Sequence, residues 1–332
     1  MINKEFLKKF TSKPRVAGHK SDLWARKMII AELRKLNKKY YLQNFPFLSW
    51  ENLHCQVLLE NREVPSLPLM WSGSGSGKGY LESVGRQATF SGAYYFDKFS
   101  LDDEKIYLLS RDDQVWMQPL DQPQVDEVFV MIFPDELEKI KKNPRQKITV
   151  NSQNKFWPSN SANIICPTPE KAKLLLTAHY DSVPHCPGAN DNASGVITLL
   201  EIMKNFPGEE IEYIFFGAEE WNLSGSRYWV KQSNPQKFPL AINIDMVAGR
   251  GSTISLFATE DIYPSVKKIF PELEVELGIF SCWDSHSLAQ RNIPTVQITS
   301  KPYAECHFPQ DTIEKLDFSQ IDRVIDVVEA LL

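Results

Sequence analysis

The second half of the chain alternates short apolar runs with longer stretches of helical spacing, and this rhythm restricts the possible folds more than any other feature. The apolar runs are Leu174–Thr177, Tyr213–Phe216, Ala241–Ile244 and Thr295–Ile298. The helix-like stretches are Ala193–Asn205, Asn222–Gln232 and Ile313–Leu331. Because strands that alternate with helices form a mainly parallel sheet covered by helices on both faces, the sequence predicts an α/β fold from about residue 160 onward.

Apolar residues are spaced differently in the rest of the chain. Residues Ser21–Leu36 carry apolar side chains at helical spacing, which predicts one amphipathic helix with Ser21 at its N-cap. Between about residues 52 and 150, short runs such as Ile106–Leu109 and Val128–Phe133 alternate with turn-rich, proline-bearing stretches, which predicts a small, mostly β module. We therefore expect an α/β domain formed by residues 1–51 and 151–332, with residues 52–150 inserted as the module.

The Gly/Ser tract SGSGSGKG, at Ser72–Gly79, superficially resembles a phosphate-binding loop. The motif GxxxxGK[ST] requires glycine at its first position and serine or threonine at its last. Here Ser72 and Gly79 occupy those two positions. We therefore predict a flexible turn and no nucleotide site.

Composition excludes several classes of protein. The 332 residues are 42% hydrophobic and carry a formal net charge of −5 without long basic runs, so we expect no nucleic-acid partner. The N-terminus lacks the apolar segment of a signal peptide, and no run of about 18 apolar residues occurs. We therefore expect no membrane association and a cytoplasmic location. The five cysteines are scattered without CxxC spacing, which favours free thiols over a disulfide framework.

Acidic and histidine side chains follow the predicted strands. In an open α/β sheet, the loops at the carboxyl ends of the strands meet in one crevice. The side chains at those ends and in the adjoining loops are His179, Asp191, Glu219, Glu220, Asp245 and His307. Each alone would be an ordinary structural residue, but several carboxylates in one crevice would repel one another without a cation. The sequence therefore predicts a metal centre at this edge of the sheet.

The number and type of these side chains point to two zinc ions. Imidazole nitrogens and carboxylate oxygens suit zinc, although cobalt or manganese in its place stays open. One catalytic zinc keeps three protein ligands and an open position. The five ligand candidates other than Glu219 therefore suit two ions that share a carboxylate. Asp191 stands in sequence between the two half-sets and is the expected bridge. One ion would take His179, Asp191 and Asp245, and the other would take Asp191, Glu220 and His307.

Four strings carry a resemblance to a known family: TAHYDSVPHCPGANDNASGVITLLE, FFGAEEWNLSGSRYW, NIDMV and HFPQDT. They are similar to the dizinc aminopeptidases of peptidase family M28, over about residues 160–320 and weakly at PRVAG (Pro14–Gly18). The resemblance implies that the five side chains above bind the metals and that Glu219 is the general base. It also implies that Asp181 orients His179 without binding metal. The family often carries a protease-associated module before the first metal histidine, and residues 52–150 loosely resemble one.

The function that this resemblance implies is removal of N-terminal residues from peptides, by water that two zinc ions activate and Glu219 deprotonates. The substrates would be peptides with a free N-terminus. Two alternatives stay open: a glutaminyl cyclase-like acyltransferase with a single zinc, and a carboxypeptidase of the same family, since the metal centre does not record which chain end is held. The inserted module is expected either to cover the site or to mediate self-association as a homo-oligomer.

Two segments depart from the family pattern or allow a structural interpretation. Some members have a tyrosine before an Asp-His pair that stabilises the reaction intermediate, whereas GIFSCWDSHSLAQRNIP has Phe280 at the tyrosine and Ser285 at the histidine, with Asp284 retained. Asp311 matches the family's QDT. With Glu314 it also forms the pattern of a capping box, and we predict that it caps the last helix.

Overall fold

The structure is a computed structural model that describes residues 2–88, 95–101, 104–110, 119–168, 172–206, 210–233, 238–303 and 305–332. The chain divides into two compact units: Met1–Phe47 together with Ser159–Leu332, and Leu48–Pro158. Two long strands, Tyr41–Leu59 and Ile148–Cys166, each have residues in both units.

The regular elements of the described residues are as follows. The strands are β1 (Tyr41–Leu59), β2 (Arg62–Val64), β3 (Ser66–Pro68), β4 (Met70–Ser72), β5 (Gly75–Gly79), β6 (Leu81–Ala88), β7 (Tyr95–Leu101), β8 (Glu104–Ser110), β9 (Pro119–Gln124), β10 (Val128–Ile132), β11 (Ile148–Cys166), β12 (Leu174–His179), β13 (Ile211–Phe216), β14 (Ala241–Ile244), β15 (Thr253–Ala258), β16 (Glu274–Leu277) and β17 (Thr295–Lys301). The α-helices are α1 (Lys4–Phe10), α2 (Lys20–Lys35), α3 (Pro134–Lys142), α4 (Ser194–Asn205), α5 (Ser224–Gln232), α6 (Tyr263–Ile269), α7 (Asp284–Ala289) and α8 (Phe318–Leu331).

The first unit is built on a mainly parallel sheet with the strand order β16-β15-β17-β14-β12-β13-β11. Strand β12 pairs in parallel with β13 and β14, and β14 pairs in parallel with β17. Strand β11 is antiparallel to β13, and β15 is antiparallel to β17. The four predicted apolar runs lie in β12, β13, β14 and β17, so the α/β fold expected from the sequence is confirmed.

Helices cover both faces of this sheet. Side chains of β12 alternate between the faces, as the pleat of a strand requires. Leu174 and Leu176 pack in a core with residues of α1, α2, α4 and α8. Leu175 packs on the opposite face with Trp229 of α5 and Leu288 of α7. Burial on both faces explains why the predicted strands are continuously apolar instead of alternating with polar residues.

Two predicted helix ends were wrong. Helix α2 begins at Lys20, with His19 at its N-cap and no side-chain hydrogen bond there, so Ser21 lies inside the helix. The predicted helix Ile313–Leu331 is a short 3₁₀ turn at Ile313–Lys315 followed by α8. Asp317 separates them, because its side chain accepts a hydrogen bond from the backbone N–H of Ser319 and so starts a new helix.

The second unit is mostly β. It contains a five-stranded sheet in the order β3-β10-β8-β7-β6, a two-stranded pair of β4 with β9, and helix α3. Its apolar core includes Leu108 of β8, Val130 of β10 and Leu137 of α3. The predicted runs at Ile106–Leu109 and Val128–Phe133 lie in or largely in β8 and β10.

The Gly/Ser tract in this unit is not a flexible turn, and that prediction was wrong. Ser72 ends β4, and Gly75–Gly79 is β5, which pairs antiparallel with Ile148–Ser152 of β11. Gly73 lies so close to a neighbouring backbone that a Cβ atom would stand 2.3 Å from the carbonyl oxygen of Val125. The small residues thus allow close approach of backbones, a role that composition cannot distinguish from flexibility.

Two expectations from composition can be compared with the structure. All five cysteines are free thiols, as their spacing predicts. Every helix in the described part of the chain is too short or too polar to cross a bilayer.

Burial in the centre of the sheet gives a test of the core. Leu176 is 0% exposed, whereas Leu277 at the edge strand β16 is 59% exposed. We expect Leu176→Ala to lower the free energy of unfolding by about 2–5 kcal/mol, because it removes buried methyl groups and leaves a cavity. The control Leu277→Ala should change it by less than about 0.5 kcal/mol. Urea denaturation measures both, and equal effects would contradict this description of the core.

Candidate metal centre

Four of the candidate side chains leave the sheet at the carboxyl ends of its parallel strands. His179 is the last residue of β12, and Asp245 directly follows β14. Glu219 and Glu220 follow β13 after a two-residue turn. All four are buried, with exposed fractions between 1% and 7%. Because neighbouring parallel strands end at the same edge, the sheet itself brings these side chains together.

Asp191 lies between the two candidate histidines. It is in the irregular turn Ala189–Ala193 before α4, and His307 is in the loop after β17. Oδ1 of Asp191 lies 3.2 Å from Nε2 of His179. Oδ2 lies 3.3 Å from Nε2 of His307. The two oxygens of one carboxylate therefore face different histidines, which is the arrangement that a shared metal ligand needs.

A second carboxylate lies beside each histidine. Oδ1 of Asp245 is 3.3 Å from Nε2 of His179, and Oε2 of Glu220 is 2.9 Å from Nε2 of His307. Oδ1 of Asp245 and Oε1 of Glu220 are buried and accept no hydrogen bond from the described residues. Buried, unsatisfied carboxylate oxygens are costly unless a cation neutralises them.

The donor atoms are also spaced as metal ligands would be. One donor atom each from His179, Asp191 and Asp245 lie within 4.8 Å of one another. Nitrogen and carboxylate oxygen donors in this number suit zinc. The side chains therefore fit a metal centre of the kind that the sequence predicts.

Glu219 is close to these groups but hydrogen-bonds to neither histidine. Its Oε2 atom is 4.0 Å from Nε2 of His179. Burial raises the pKa of Glu219 well above its usual range; the neighbouring carboxylates Glu220, Asp284 and Asp245 add to the rise, and His179 opposes it. A carboxyl group with a raised pKa can accept and return a proton near neutral pH.

Asp181 connects the first histidine with the loop that carries the two glutamates. Its carboxylate accepts hydrogen bonds from the backbone N–H groups of Glu219, at 3.0 Å, and Glu220, at 3.2 Å. Its Oδ1 atom also faces Nδ1 of His179, at 3.6 Å. Asp181 is fully buried. It therefore fixes the position of the Glu219–Glu220 backbone and lies on the far side of the histidine ring from Asp191.

Asp311 does not cap the last helix, and that prediction was wrong. Its carboxylate accepts hydrogen bonds from the backbone N–H groups of Asn190, at 2.7 Å, and Asp191, at 2.9 Å. Asp317 caps α8 instead. The capping pattern around Asp311 is local in sequence, whereas its actual partners are 120 and 121 residues away. Asp311 thus holds the backbone of the residue that lies between the two histidines.

Arg15 supports the same loop, and the sequence analysis did not identify it as a site residue. The side chain is 0% exposed. It donates hydrogen bonds to the carbonyl oxygens of Tyr180, Pro187 and Gly188 at 2.7, 2.5 and 2.7 Å, and its guanidinium lies 4.7 Å from the ring centroid of Phe10. The available signal was the PRVAG match near the N-terminus, but the three carbonyl oxygens of this loop are at least 165 residues away from Arg15.

The backbone beside the candidate ligands adopts an unusual conformation. Ala218, Met246 and His307 have φ angles of 54°, 56° and 65°. Such left-handed conformations are uncommon for residues other than glycine, and they cluster at functional sites. Each one lies next to, or at, a side chain of the cluster. The turns that follow the strands are therefore shaped to direct these side chains.

The match to a family model decides the family. The model of peptidase family M28 matches residues 163–332, which are 170 of the 332 residues. The chain belongs to peptidase family M28. The match includes every candidate ligand from His179 to His307.

One similar protein is an aminopeptidase. Aminopeptidase YwaD of Bacillus subtilis (strain 168) is 28% identical over 271 residues, which cover 70% of this chain and 58% of the relative. The chain thus spans less than two thirds of that protein's length.

Solved structures show the same fold at low sequence identity. The peptidase M28 precursor from Shewanella amazonensis SB2B has a TM-score of 0.77 at 18% identity, and the match covers 98% of this chain and 91% of that one. The zinc aminopeptidase BSAP from Bacillus subtilis has a TM-score of 0.75 at 21% identity, covering 98% and 92%.

The buried Arg15 gives a test of how the site is supported. We expect Arg15→Met to lower the free energy of unfolding by about 3 kcal/mol or more, because it removes three hydrogen bonds from a charged donor to the carbonyl oxygens of Tyr180, Pro187 and Gly188, at about 1.5–3 kcal/mol each. The matched control Arg291→Met changes an exposed arginine and should have an effect below about 0.5 kcal/mol. Urea denaturation compares the two. An Arg15→Met protein as stable as the control would show that these hydrogen bonds do not support the loop.

Proposed function

We propose that the chain is a dizinc aminopeptidase that removes N-terminal residues from peptides. The observation that carries this proposal is the position of Asp191, whose two oxygens face His179 and His307 separately. A single metal ion would need only one of these two histidines and the carboxylates beside it. Membership of a peptidase family supports hydrolysis of an amide bond as the reaction.

The protein groups divide between two metal positions. His179, Asp191 and Asp245 would hold one zinc ion, and Asp191, Glu220 and His307 would hold the other. Bound zinc supplies Lewis acidity, which makes water more acidic and polarises a carbonyl group. Two zinc ions carry four positive charges, and the three carboxylate ligands offset three of them. With both ions bound, the carboxylates are no longer buried without counter-charges.

Glu219 is the group that would move the proton. In its ionised form it accepts a proton from the attacking water, and it then passes that proton to the amine that leaves the cleaved peptide bond. Burial raises the pKa of Glu219, which makes its ionised form a stronger base toward the proton of the attacking water. The hydrogen bonds from the backbone N–H groups of Glu219 and Glu220 to Asp181 hold the backbone from which this side chain extends.

We propose an aminopeptidase and not a carboxypeptidase because of the relatives of this chain. Aminopeptidase YwaD of Bacillus subtilis is 28% identical to it over 271 residues. The candidate metal ligands alone do not record which end of the peptide is held.

We propose the cytoplasm as the location of the protein. All five cysteines are free, and Cys166 and Cys186 are buried. Free thiols are typical of proteins in a reducing compartment.

The role of Glu219 gives a direct test. We expect Glu219→Gln to lower kcat by roughly 10²- to 10⁴-fold, because the amide cannot accept a proton, while zinc content stays unchanged. In the wild-type enzyme, kcat/KM should fall as the pH drops through the raised pKa of Glu219, since protonation removes the base. Steady-state kinetics with an aminoacyl chromogenic substrate, across pH, measures both effects.

The matched control is Glu260→Gln, which changes an exposed glutamate and should leave kcat unchanged. A Glu219→Gln enzyme that keeps more than about a tenth of wild-type kcat would contradict the general-base assignment. Loss of zinc in this variant would instead make Glu219 a ligand.

The choice of chain end is tested with matched peptides that carry a free or an acetylated N-terminus. We expect acetylation to abolish release of the N-terminal residue, because the amide can no longer bind as an ammonium group. Amidation of the C-terminus should leave the rate unchanged. Cleavage that tolerates acetylation but not amidation would indicate a carboxypeptidase. Conversion of N-terminal glutamine to its cyclic form, without peptide cleavage, would indicate the single-zinc acyltransferase.

A further inference from the structure

Cys306 lies at the metal centre although neither the sequence motifs nor the proposed mechanism uses it. Its Sγ atom is 3.5 Å from Oδ2 of Asp191. This is the same oxygen that faces Nε2 of His307 at 3.3 Å. One donor atom each from Asp191, Cys306 and His307 lie within 4.8 Å of one another. Thiolate, imidazole and carboxylate are all zinc ligands, so this trio is a complete set of metal donors.

The backbone explains how two consecutive residues reach the same point. In an extended chain, neighbouring side chains point to opposite sides. His307 instead has a φ angle of 65°, which turns the chain so that its side chain and that of Cys306 both approach Asp191. His307 could bind a metal ion without a thiol beside it. The position of Cys306 near Asp191 is therefore a separate feature of this loop.

A second observation at the same position supports a bound cation. Glu220 is 4% exposed, and its Oε1 atom accepts no hydrogen bond within the described part of the chain, although Oε2 is 2.9 Å from Nε2 of His307. A thiol that only donated a hydrogen bond to Asp191 would leave this buried oxygen unsatisfied. A metal ion among Asp191, Glu220 and His307 would satisfy it and would also lie within reach of a sulfur ligand.

We propose that Cys306 is an additional ligand of the metal ion that Asp191, Glu220 and His307 would hold, and that it binds as a thiolate. The proposal rests on the dinuclear site described above. Binding forms a metal–sulfur bond, and the thiol proton is released to solvent. A sulfur ligand makes this position softer than the position at His179 and Asp245, which has only nitrogen and oxygen donors. The second position should therefore favour zinc, cobalt or cadmium over manganese.

The test uses cobalt as a spectroscopic substitute for zinc. The full-length protein is freed of metal with a chelator and titrated with Co²⁺, and the absorption spectrum is recorded at each addition. We expect a near-ultraviolet charge-transfer band from thiolate to cobalt, which nitrogen and oxygen ligands do not produce. We expect the band to be absent from Cys306→Ser and Cys306→Ala, and both variants should bind their second metal at least about tenfold more weakly.

Two cysteine controls make the assignment specific. Cys55→Ser changes a half-buried thiol of the other unit and should keep the band. Cys282→Ser changes an exposed thiol and should also keep it. A band that disappears in Cys282→Ser and survives in Cys306→Ser would overturn the proposal. So would a Cys306→Ser protein with wild-type metal affinity, because a serine hydroxyl can replace a hydrogen-bond donor but not a thiolate ligand.

The metal count separates this proposal from the proposed function. Wild-type protein that binds two cobalt ions without the band would overturn the role of Cys306 and leave the dinuclear site intact. Protein that binds no cobalt would overturn both.

Discussion

Negative charge buried at one edge of a parallel sheet is the constraint on which the rest of the site depends. The strand ends and their loops bring Asp191, Glu220 and Asp245 together with two histidines, and each of the three carboxylates is less than 5% exposed. Carboxylates buried this closely repel one another and lose hydration. The two histidines cannot compensate fully, since Asp245 and Glu220 each keep an oxygen without a hydrogen bond from the described residues. Divalent cations between the carboxylates remove both costs at once.

The surrounding structure holds this arrangement from outside. The Asp311 carboxylate accepts hydrogen bonds from the backbone N–H groups of Asn190 and Asp191. The Asp181 carboxylate accepts hydrogen bonds from the backbone N–H groups of Glu219 and Glu220. Arg15 donates to three carbonyl oxygens between Tyr180 and Gly188. These groups fix backbone segments without belonging to the candidate ligand set. The ligands are thus positioned before a metal binds, which reduces the reorganisation that binding requires.

The sequence predicted the parts of this picture that follow from local pattern. The continuous apolar runs at Leu174–Thr177 and Tyr213–Phe216 predicted buried strands, and the residues that follow them lie together because parallel strands share an edge. The roles of Arg15 and Asp311 could not be predicted in this way. The backbone segments that these two side chains hold are more than 100 residues away from them, and a local capping pattern at Asp311 favoured a different role. The prediction of a flexible turn at the Gly/Ser tract was wrong for a related reason. The close approach of the Gly73 and Val125 backbones depends on tertiary pairing.

Metal content per chain tests most directly whether two metal ions share Asp191. Elemental analysis of protein titrated with zinc should give two ions for wild type and for the exposed control Asp261→Ala, which lies outside the cluster. Asp191→Ala should lose both ions, because it removes a ligand from each position. Circular dichroism would verify that the variant is folded. An Asp191→Ala protein that retains two zinc ions, or a wild-type protein that binds only one at saturation, would contradict the account.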